Sequence, residues 1–325
     1  MLSSVAKLAD KTFVIGFLLP ALLAASAGIK VFGCPTWFDA LCNTKPESPF
    51  ESLTYLALGV WFLAVLLLAV NYMAYRLLEG YLPPVSWLRL VRAYHEDRFA
   101  TLTAVCDRLE AAGNMTEFGA VKRELLASYP TDAAFVLPTA FGNRIRAFES
   151  YATTVYKADS IPTWSRLSAV VPPAFQAAIG DAHAQVDFFV NTLLLAVVIA
   201  ATALTRFALS FAEPRTGALP ADTQQLLIVA AVALAVAILA YRWAVNQIGA
   251  WGELVKSAFD CYLPALATQL GYVLPDSESE RREFWVDITE LFLYNYPVPE
   301  GRWKLAAAAP PKVADAGTHD GGGDD

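Results

Sequence analysis

Four long apolar runs dominate the hydropathy pattern of this chain, and they lie near residues 12–32, 51–78, 186–212 and 225–245. A helix needs about 20 mostly apolar residues to cross the hydrocarbon layer of a membrane. Residues 54–75 and 188–205 contain no ionisable side chain other than tyrosine. The pattern therefore predicts an all-α membrane protein with four transmembrane helices.

The first apolar run also has some features of a secretory signal. Lys7 and Lys11 precede an apolar core, and Ala25-Ser26-Ala27 is similar to a cleavage site. The run is longer than the usual signal core of about 7–15 residues, which favours a retained helix. Both interpretations place the following loop outside the cell.

Outside these runs, apolar residues recur at intervals of three and four, which is typical of helices with one packed face. Ile161-Pro162 breaks this pattern, and residues 161–173 are predicted to be a loop. The residues after 305 have little to bury, so we expect them to be disordered. We therefore divide the chain into a first transmembrane hairpin (1–79), a helical cytoplasmic domain (80–185), a second transmembrane hairpin (186–245), a helical cytoplasmic C-terminal segment (246–305) and a disordered tail (306–325).

Positive charge is concentrated between the second and third runs, where eleven Lys and Arg residues lie from Arg76 to Arg166. Only Lys30 and Lys45 lie at the end of the first run or in the loop after it, and only Arg206 and Arg215 hold the corresponding positions for the third run. Basic residues near spans favour the cytoplasmic side, so we expect the central segment and both termini to be cytoplasmic in a cell membrane. The formal charge of −7 argues against a nucleic-acid partner, which would require a basic face.

This orientation separates the four cysteines into two pairs. Cys34 and Cys42 fall outside the cell, whereas Cys106 and Cys261 fall inside. Disulfides form in oxidising compartments. The sequence therefore predicts a Cys34–Cys42 disulfide, and the alternative is two free thiols in a short loop.

Several segments resemble a group of uncharacterised multi-pass membrane proteins from actinobacteria. They are NYMAYRLLEGY at 71–81, LPTAFGNRIRAFESY at 137–151, WSRL at 164–167 and the AFDCYL and ERREFW elements after the fourth run. In similar proteins the second segment usually begins Pro-Thr-Arg, whereas Ala140 holds the Arg position here and removes one cation. The resemblance implies a bacterial membrane protein of this architecture and implies no particular function.

One polar block is the best candidate for a binding site. Arginine side chains beside an amide and an aromatic ring suit an anionic headgroup, a phosphate or an acidic peptide. The alternative is structural, with Arg and Glu side chains holding neighbouring helices together. The candidate residues are Asn143, Arg144, Arg146, Glu149, Tyr151, Trp164 and Arg166.

Histidine offers little for catalysis or metal binding. His183 and Asp187 are four residues apart on one helical face and make a weak two-ligand metal candidate, although no further ligand has matching spacing. His95 lies on the apolar face of its helix, where a packed histidine is the usual interpretation. No recognised catalytic or phosphate-binding motif occurs, so we expect no cofactor and favour a protein that is not an enzyme.

The composition of the spans separates three functional hypotheses. Alanines spaced along runs three and four favour a tightly packed bundle, within one chain or between copies in a homo-oligomer. We expect a membrane-anchored interaction or scaffold protein that contacts lipids and a cytoplasmic protein partner. The alternatives are an oligomeric ion channel, suggested by threonines in run three, and a lipid-handling enzyme that uses the polar block.

Overall fold

A computed structural model describes residues 10–32, 49–211 and 221–306. Within these ranges the chain is helical apart from turns and one isolated bridge between Tyr272 and Leu305, which confirms the all-α prediction. Four helices are long and apolar enough to cross a membrane, and these candidate spans are Lys11–Gly28, Leu53–Glu79, Pro173–Leu209 and Gln224–Gln269.

Nine helices in the described part of the chain are numbered here in chain order. Helix α1 (11–32) includes a π-helical stretch at Val14–Leu18. The 3-10 turns Val85–Trp87 and Ala133–Phe135 precede α3 and α5. The remaining helices are α2 Pro49–Glu79, α3 Arg89–Ala111, α4 Met115–Ser128, α5 Ala140–Tyr156, α6 Ser160–Leu167, α7 Pro173–Leu209, α8 Ala221–Gln269 and α9 Glu278–Tyr294.

The outside of the four candidate spans is apolar. Only 17–28% of the residues in their apolar windows are buried inside the protein. Large apolar side chains such as those of Phe62 and Ile238 have more than half of their surface exposed. This surface is stable in contact with lipid chains and would be costly in water.

Helices α7 and α8 form the most extensive helix pair. All six alanines singled out by their spacing are buried: Ala196, Ala200 and Ala203 in α7, and Ala233, Ala237 and Ala240 in α8. Small side chains allow two helix backbones to approach closely in a membrane. These alanines are thus buried within one chain.

Two further cores lie along the same long helices. One joins α2, α5, α7 and α8 and includes Phe141, Val186 and Ile248. The other packs α9 and α6 against the C-terminal half of α8, with Phe284, Trp285 and Phe259 fully buried. The long helices therefore belong both to the apolar spans and to the helical region beyond them.

Three expectations about individual segments have different outcomes. The predicted loop at 161–173 is wrong in its first part, because α6 extends over Ser160–Leu167. The Cys34–Cys42 pair and residues 307–325 lie outside the described residues, so the predictions made for them stay untested. Cys106 is a buried free thiol and Cys261 an exposed one.

Helices α3 and α4 form a hairpin with a small core of its own. Leu102 and Cys106 of α3 pack against Leu125 of α4 and the following Tyr129. His95 is buried in this hairpin, as its position on the apolar face predicts, and its Nδ1 lies 3.0 Å from the hydroxyl of Tyr129. Burial lowers the pKa of His95 from its ordinary value.

We expect this hairpin to loosen in mild acid. A lowered pKa in the folded state means that stability is fully present above about pH 6.5 and is lost as the pH falls towards the lowered pKa. Hydrogen exchange of the α4 amides, corrected for the intrinsic rate, should therefore be faster at about pH 5.5 than at about pH 7.5. His95→Gln cannot be protonated and should remove the difference, whereas an equal difference in that variant would contradict the assignment.

Candidate functional site

A cavity of about 500 Å³ lies where α2 leaves the apolar region and meets α5. Its lining begins with Leu68, inside the second apolar run, and reaches Tyr81 beyond the end of α2. The two residues are thirteen positions apart. The α2 residues in the lining recur at spacings of three and four, so they lie on one face of the helix. The full lining is Leu68, Asn71, Tyr72, Tyr75, Arg76, Glu79, Tyr81, Leu137, Gly142, Ile145, Arg146, Glu149, Ile161, His183 and Trp251.

Two arginines converge on Tyr81 at the polar end of this cavity. The Arg76 guanidinium lies over the Tyr81 ring, 3.8 Å from its centre. Arg146 Nε donates a 2.8 Å hydrogen bond to the Tyr81 hydroxyl, and its Nη2 donates a second one of 2.5 Å. Both cations are thereby fixed in place by one side chain.

Each arginine also has an acidic partner in its own helix. Arg76 Nη1 lies 3.5 Å from Glu79 Oε2, and Arg146 Nη1 lies 3.3 Å from Glu149 Oε2. Burial raises the pKa of Glu149, and the positive charges of Arg146 and Arg76 oppose this shift without cancelling it. The polar end therefore holds two guanidinium groups and two carboxyl groups in a partly buried setting.

A second polar cluster involves residues that lie about one turn earlier along α2. Asp187 of α7 is buried and accepts hydrogen bonds from the Asn71 side-chain amide (3.1 Å) and the Tyr75 hydroxyl (2.9 Å). His183 Nδ1 lies 3.3 Å from the other Asp187 oxygen. The His183 ring also contacts Trp251 of α8, with 4.6 Å between ring centres. This cluster links α2, α7 and α8, and most of its members form part of the cavity wall.

Close backbone contacts hold α5 against the end of α2. Gly80 has φ +92°, and a Cβ there would lie 2.3 Å from Pro138 Cγ. A Cβ on Gly142 would lie 2.4 Å from the Glu79 carbonyl oxygen. Thr139 caps α5 by accepting from the Gly142 amide and donates to the Leu78 carbonyl. The two glycines thus let both sides of the cavity meet without space for a side chain between them.

The structure brings only two residues of the predicted polar block, Arg146 and Glu149, to the cavity. Asn143 is fully buried and exchanges hydrogen bonds with the Leu137 backbone. Arg144 donates to the Val245 carbonyl of α8 at 2.9 Å, and the Tyr151 hydroxyl donates to Asp260 at 2.8 Å. Arg144 and Tyr151 thus connect α5 to α8, Asn143 fixes the segment that precedes α5, and none of the three lines the cavity.

The remaining two members of the block belong to α6. The Trp164 ring lies 6.1 Å from that of Phe259, centre to centre, at the edge of the core formed with α9. The Arg166 guanidinium lies 3.9 Å from the Phe292 ring centre and donates to the Pro162 carbonyl. Neither side chain lines the cavity.

The metal candidate pair lies at the wall of this cavity, where His183 is a lining residue and Asp187 is not. His183 and Asp187 contact each other, but no group of three or more His, Cys, Asp or Glu side chains in the described ranges could hold a metal ion. Asp187 is instead engaged by Asn71 and Tyr75. The pair therefore has a structural explanation in the packing of α7 against α2.

Several cavity residues were not singled out in the sequence, namely Arg76, Glu79 and Tyr81. A signal for them exists, because polar positions at Asn71, Tyr75 and Glu79 recur every four residues at the end of an otherwise apolar helix. Polar side chains on one face of a membrane helix point to a polar partner or a cavity.

Comparison with known proteins provides no functional assignment. No protein-family model matches the chain, and no curated protein or solved structure matches it either.

Proposed function

We propose that this chain is a membrane-anchored binding protein whose cavity takes the polar head of an amphipathic ligand. The observation that carries the proposal is the position of two arginine–glutamate pairs in a cavity that begins on an apolar span. Its volume of about 500 Å³ is in the range of small-molecule sites, about 300–1,000 Å³. The sequence predicts an interaction protein in general, and the cavity suggests an amphipathic ligand as one molecule with which it interacts.

The lining suits a ligand that has one apolar and one charged part. Leu68 and Tyr72 lie on the outward face of α2, and Tyr72 is 71% exposed. From Leu68 to Glu79 the helix rises by about 16 Å. A ligand entering from the bilayer would place its chains beside Leu68 and Tyr72 and its head between α2 and α5.

The charges favour a head that carries both signs. Guanidinium groups of Arg76 and Arg146 suit a phosphate, since planar donors bind its oxygens in pairs. The carboxyl groups of Glu79 and Glu149 suit an ammonium group in the same head. A purely anionic head would leave these two carboxyl groups facing a like charge. We therefore propose a zwitterionic phospholipid as the ligand class.

The cavity would face the inner leaflet of the cell membrane under the expected orientation. The basic residues near the end of α2 support that orientation. A cytoplasmic protein partner and homo-oligomer formation remain predictions from the sequence, as do the channel and the lipid-handling enzyme.

The proposal is tested by measuring which lipids stay bound to the purified protein in native mass spectrometry. The protein is offered equal amounts of three lipids with identical chains: phosphatidylethanolamine, phosphatidylglycerol and diacylglycerol. We expect the first to be retained most. Arg146→Gln should reduce that retention by about tenfold, because one charge-assisted contact is worth about 1.4 kcal/mol or more.

Arg98→Gln is the matched control for this experiment. Arg98 also pairs with a glutamate, Glu124, at 2.9 Å, but it is half exposed and lies outside the cavity. This variant should retain lipid as the wild type does. Equal retention of the three lipids by the wild type, or full retention by a folded Arg146→Gln variant, would refute the proposal.

A further inference from the structure

An exposed apolar face occupies the beginning of α3. Leu90 is 88% exposed and Tyr94 is 64% exposed, and Trp87 in the preceding 3-10 turn is 72% exposed. Leu88 and Val91 are also exposed. Spacings of three and four place Leu90, Val91 and Tyr94 on one side of the helix. We call these five residues the α3 apolar face.

Another part of the α3 surface is already occupied within the chain. His95, Leu102 and Cys106 are buried, and α3 makes its main contacts with α4. Leu90 and Tyr94 therefore point away from the side that packs on α4, whereas Leu88 and Val91 continue that side beyond the end of the contact and are left exposed. A face that combines tryptophan, tyrosine and leucine is unusual on a surface that meets only water.

The charges around this face are all positive. Arg89 and Arg92 flank it and are exposed. Residues 80–95 contain no aspartate or glutamate, and acidic side chains resume at Glu96 and Asp97. Basic residues beside an aromatic and aliphatic face are the composition of helices that lie in a membrane interface. Tryptophan and tyrosine also concentrate at the level of the lipid headgroups.

The chain brings this face close to the membrane. Trp87 follows Glu79, the last residue of α2, by eight positions, which limits their separation to about 28 Å. The real separation is shorter because the chain turns back. The Tyr81 amide donates to the Arg76 carbonyl, and the Tyr81 ring lies under the Arg76 guanidinium. The headgroup layer at the end of α2 is thus within reach.

We propose that the α3 apolar face lies in the headgroup layer of the membrane that α2 crosses, where Arg89 and Arg92 contact anionic lipid heads. The occupant of this surface is the lipid surface itself. Trp87, Leu90 and Tyr94 insert at the level of the acyl boundary, and the acidic residues from Glu96 onward stay in water. This inference depends on α2 crossing the membrane and does not depend on the ligand proposed for the cavity.

The experiment compares two nitroxide labels on the same side of α3. Asp97 follows Leu90 by seven residues, so the two positions share a face and differ by about 10 Å along the helix. Leu90→Cys and Asp97→Cys are prepared in the full chain with Cys34, Cys42, Cys106 and Cys261 replaced by serine or alanine. Each is labelled in nanodiscs containing anionic lipid, and collisions with oxygen and with a water-soluble nickel complex are measured.

We expect the label at position 90 to collide more with oxygen than with the nickel complex, and the label at position 97 to show the reverse. Equal exposure of both labels to the nickel complex would overturn the proposal. Protection of position 90 from both reagents, together with disulfide-linked dimers of the unlabelled Leu90→Cys chain, would overturn it in favour of a second copy on this face.

A second measurement leaves the native cysteines in place. The difference in fluorescence between the wild type and Trp87→Phe isolates the emission of Trp87. Lipids brominated near the headgroup end of their chains should reduce this difference at least twofold. An unquenched difference would overturn the proposal even if the cysteine-replaced chain does not fold.

Discussion

Asp187→Ala is expected to destabilise the protein by about 3 kcal/mol, which is large for a single substitution. Asp187 is buried and accepts hydrogen bonds from Asn71 and Tyr75. Alanine would leave both donors without their acceptor, and each unsatisfied buried donor costs about 1–3 kcal/mol. The free energy of unfolding is measured on the purified protein in detergent, with heat or denaturant used to unfold it.

Asp181→Ala is the control on the same helix. Asp181 pairs with Lys11 at 2.6 Å, but the two side chains are 39% and 64% exposed. Exposed ion pairs contribute about 0–1 kcal/mol, so this variant should unfold close to the wild type. Similar losses in the two variants would show that the buried cluster has no special role in stability.

Gly142→Ala is expected to have the second large effect, a destabilisation of about 3 kcal/mol. The added Cβ would lie 2.4 Å from the Glu79 carbonyl oxygen and 2.9 Å from the Glu79 Cα. Both are backbone atoms, so α5 would have to move away from α2. Overpacking of a tight contact costs about 1–3 kcal/mol when side chains can adjust, and here they cannot.

Gly119→Ala separates this clash from the intrinsic effect of the substitution. Gly119 lies within α4, and a Cβ there meets nothing within 4 Å. Alanine favours an α-helix over glycine by about 1 kcal/mol, so this variant should be neutral or slightly more stable. Unchanged unfolding of Gly142→Ala would show that the two helices can separate there without cost.

The membrane spans were predictable because they depend on composition over long stretches. Helix α2 ends at Glu79 because φ +92° at Gly80 cannot continue a helix, and a glycine followed by prolines is a helix-ending pattern that can be read from the sequence. Helix α6 is harder to predict, because a proline at position 162 suggests a break in the helical pattern. Pro162 lies in the first turn, where its missing amide is not needed, and Asp159 caps the helix by accepting from the Ile161 amide.

The cavity was only partly predictable. Arg146 and Glu149 are three residues apart in one helix, so their proximity follows from helical geometry. Tyr81 reaches Arg146 from 65 positions earlier in the chain. Such a contact depends on how α2 and α5 cross, which in turn depends on the glycines at positions 80 and 142. Proximity in sequence groups the polar residues at 143–166 into one site, whereas in the structure they face different neighbours.

The length of α8 has a mechanical consequence. It extends over 49 residues, from Ala221 to Gln269, and a straight helix of that length measures about 73 Å, more than twice the hydrocarbon thickness. Its far half packs against α6 and α9. Tilting such a rod by 5° displaces one end relative to the other by roughly 6 Å. A thinner or thicker bilayer changes the tilt of the helices that span it. A change in the tilt of α8 would therefore displace α6 and α9, which pack against its far half.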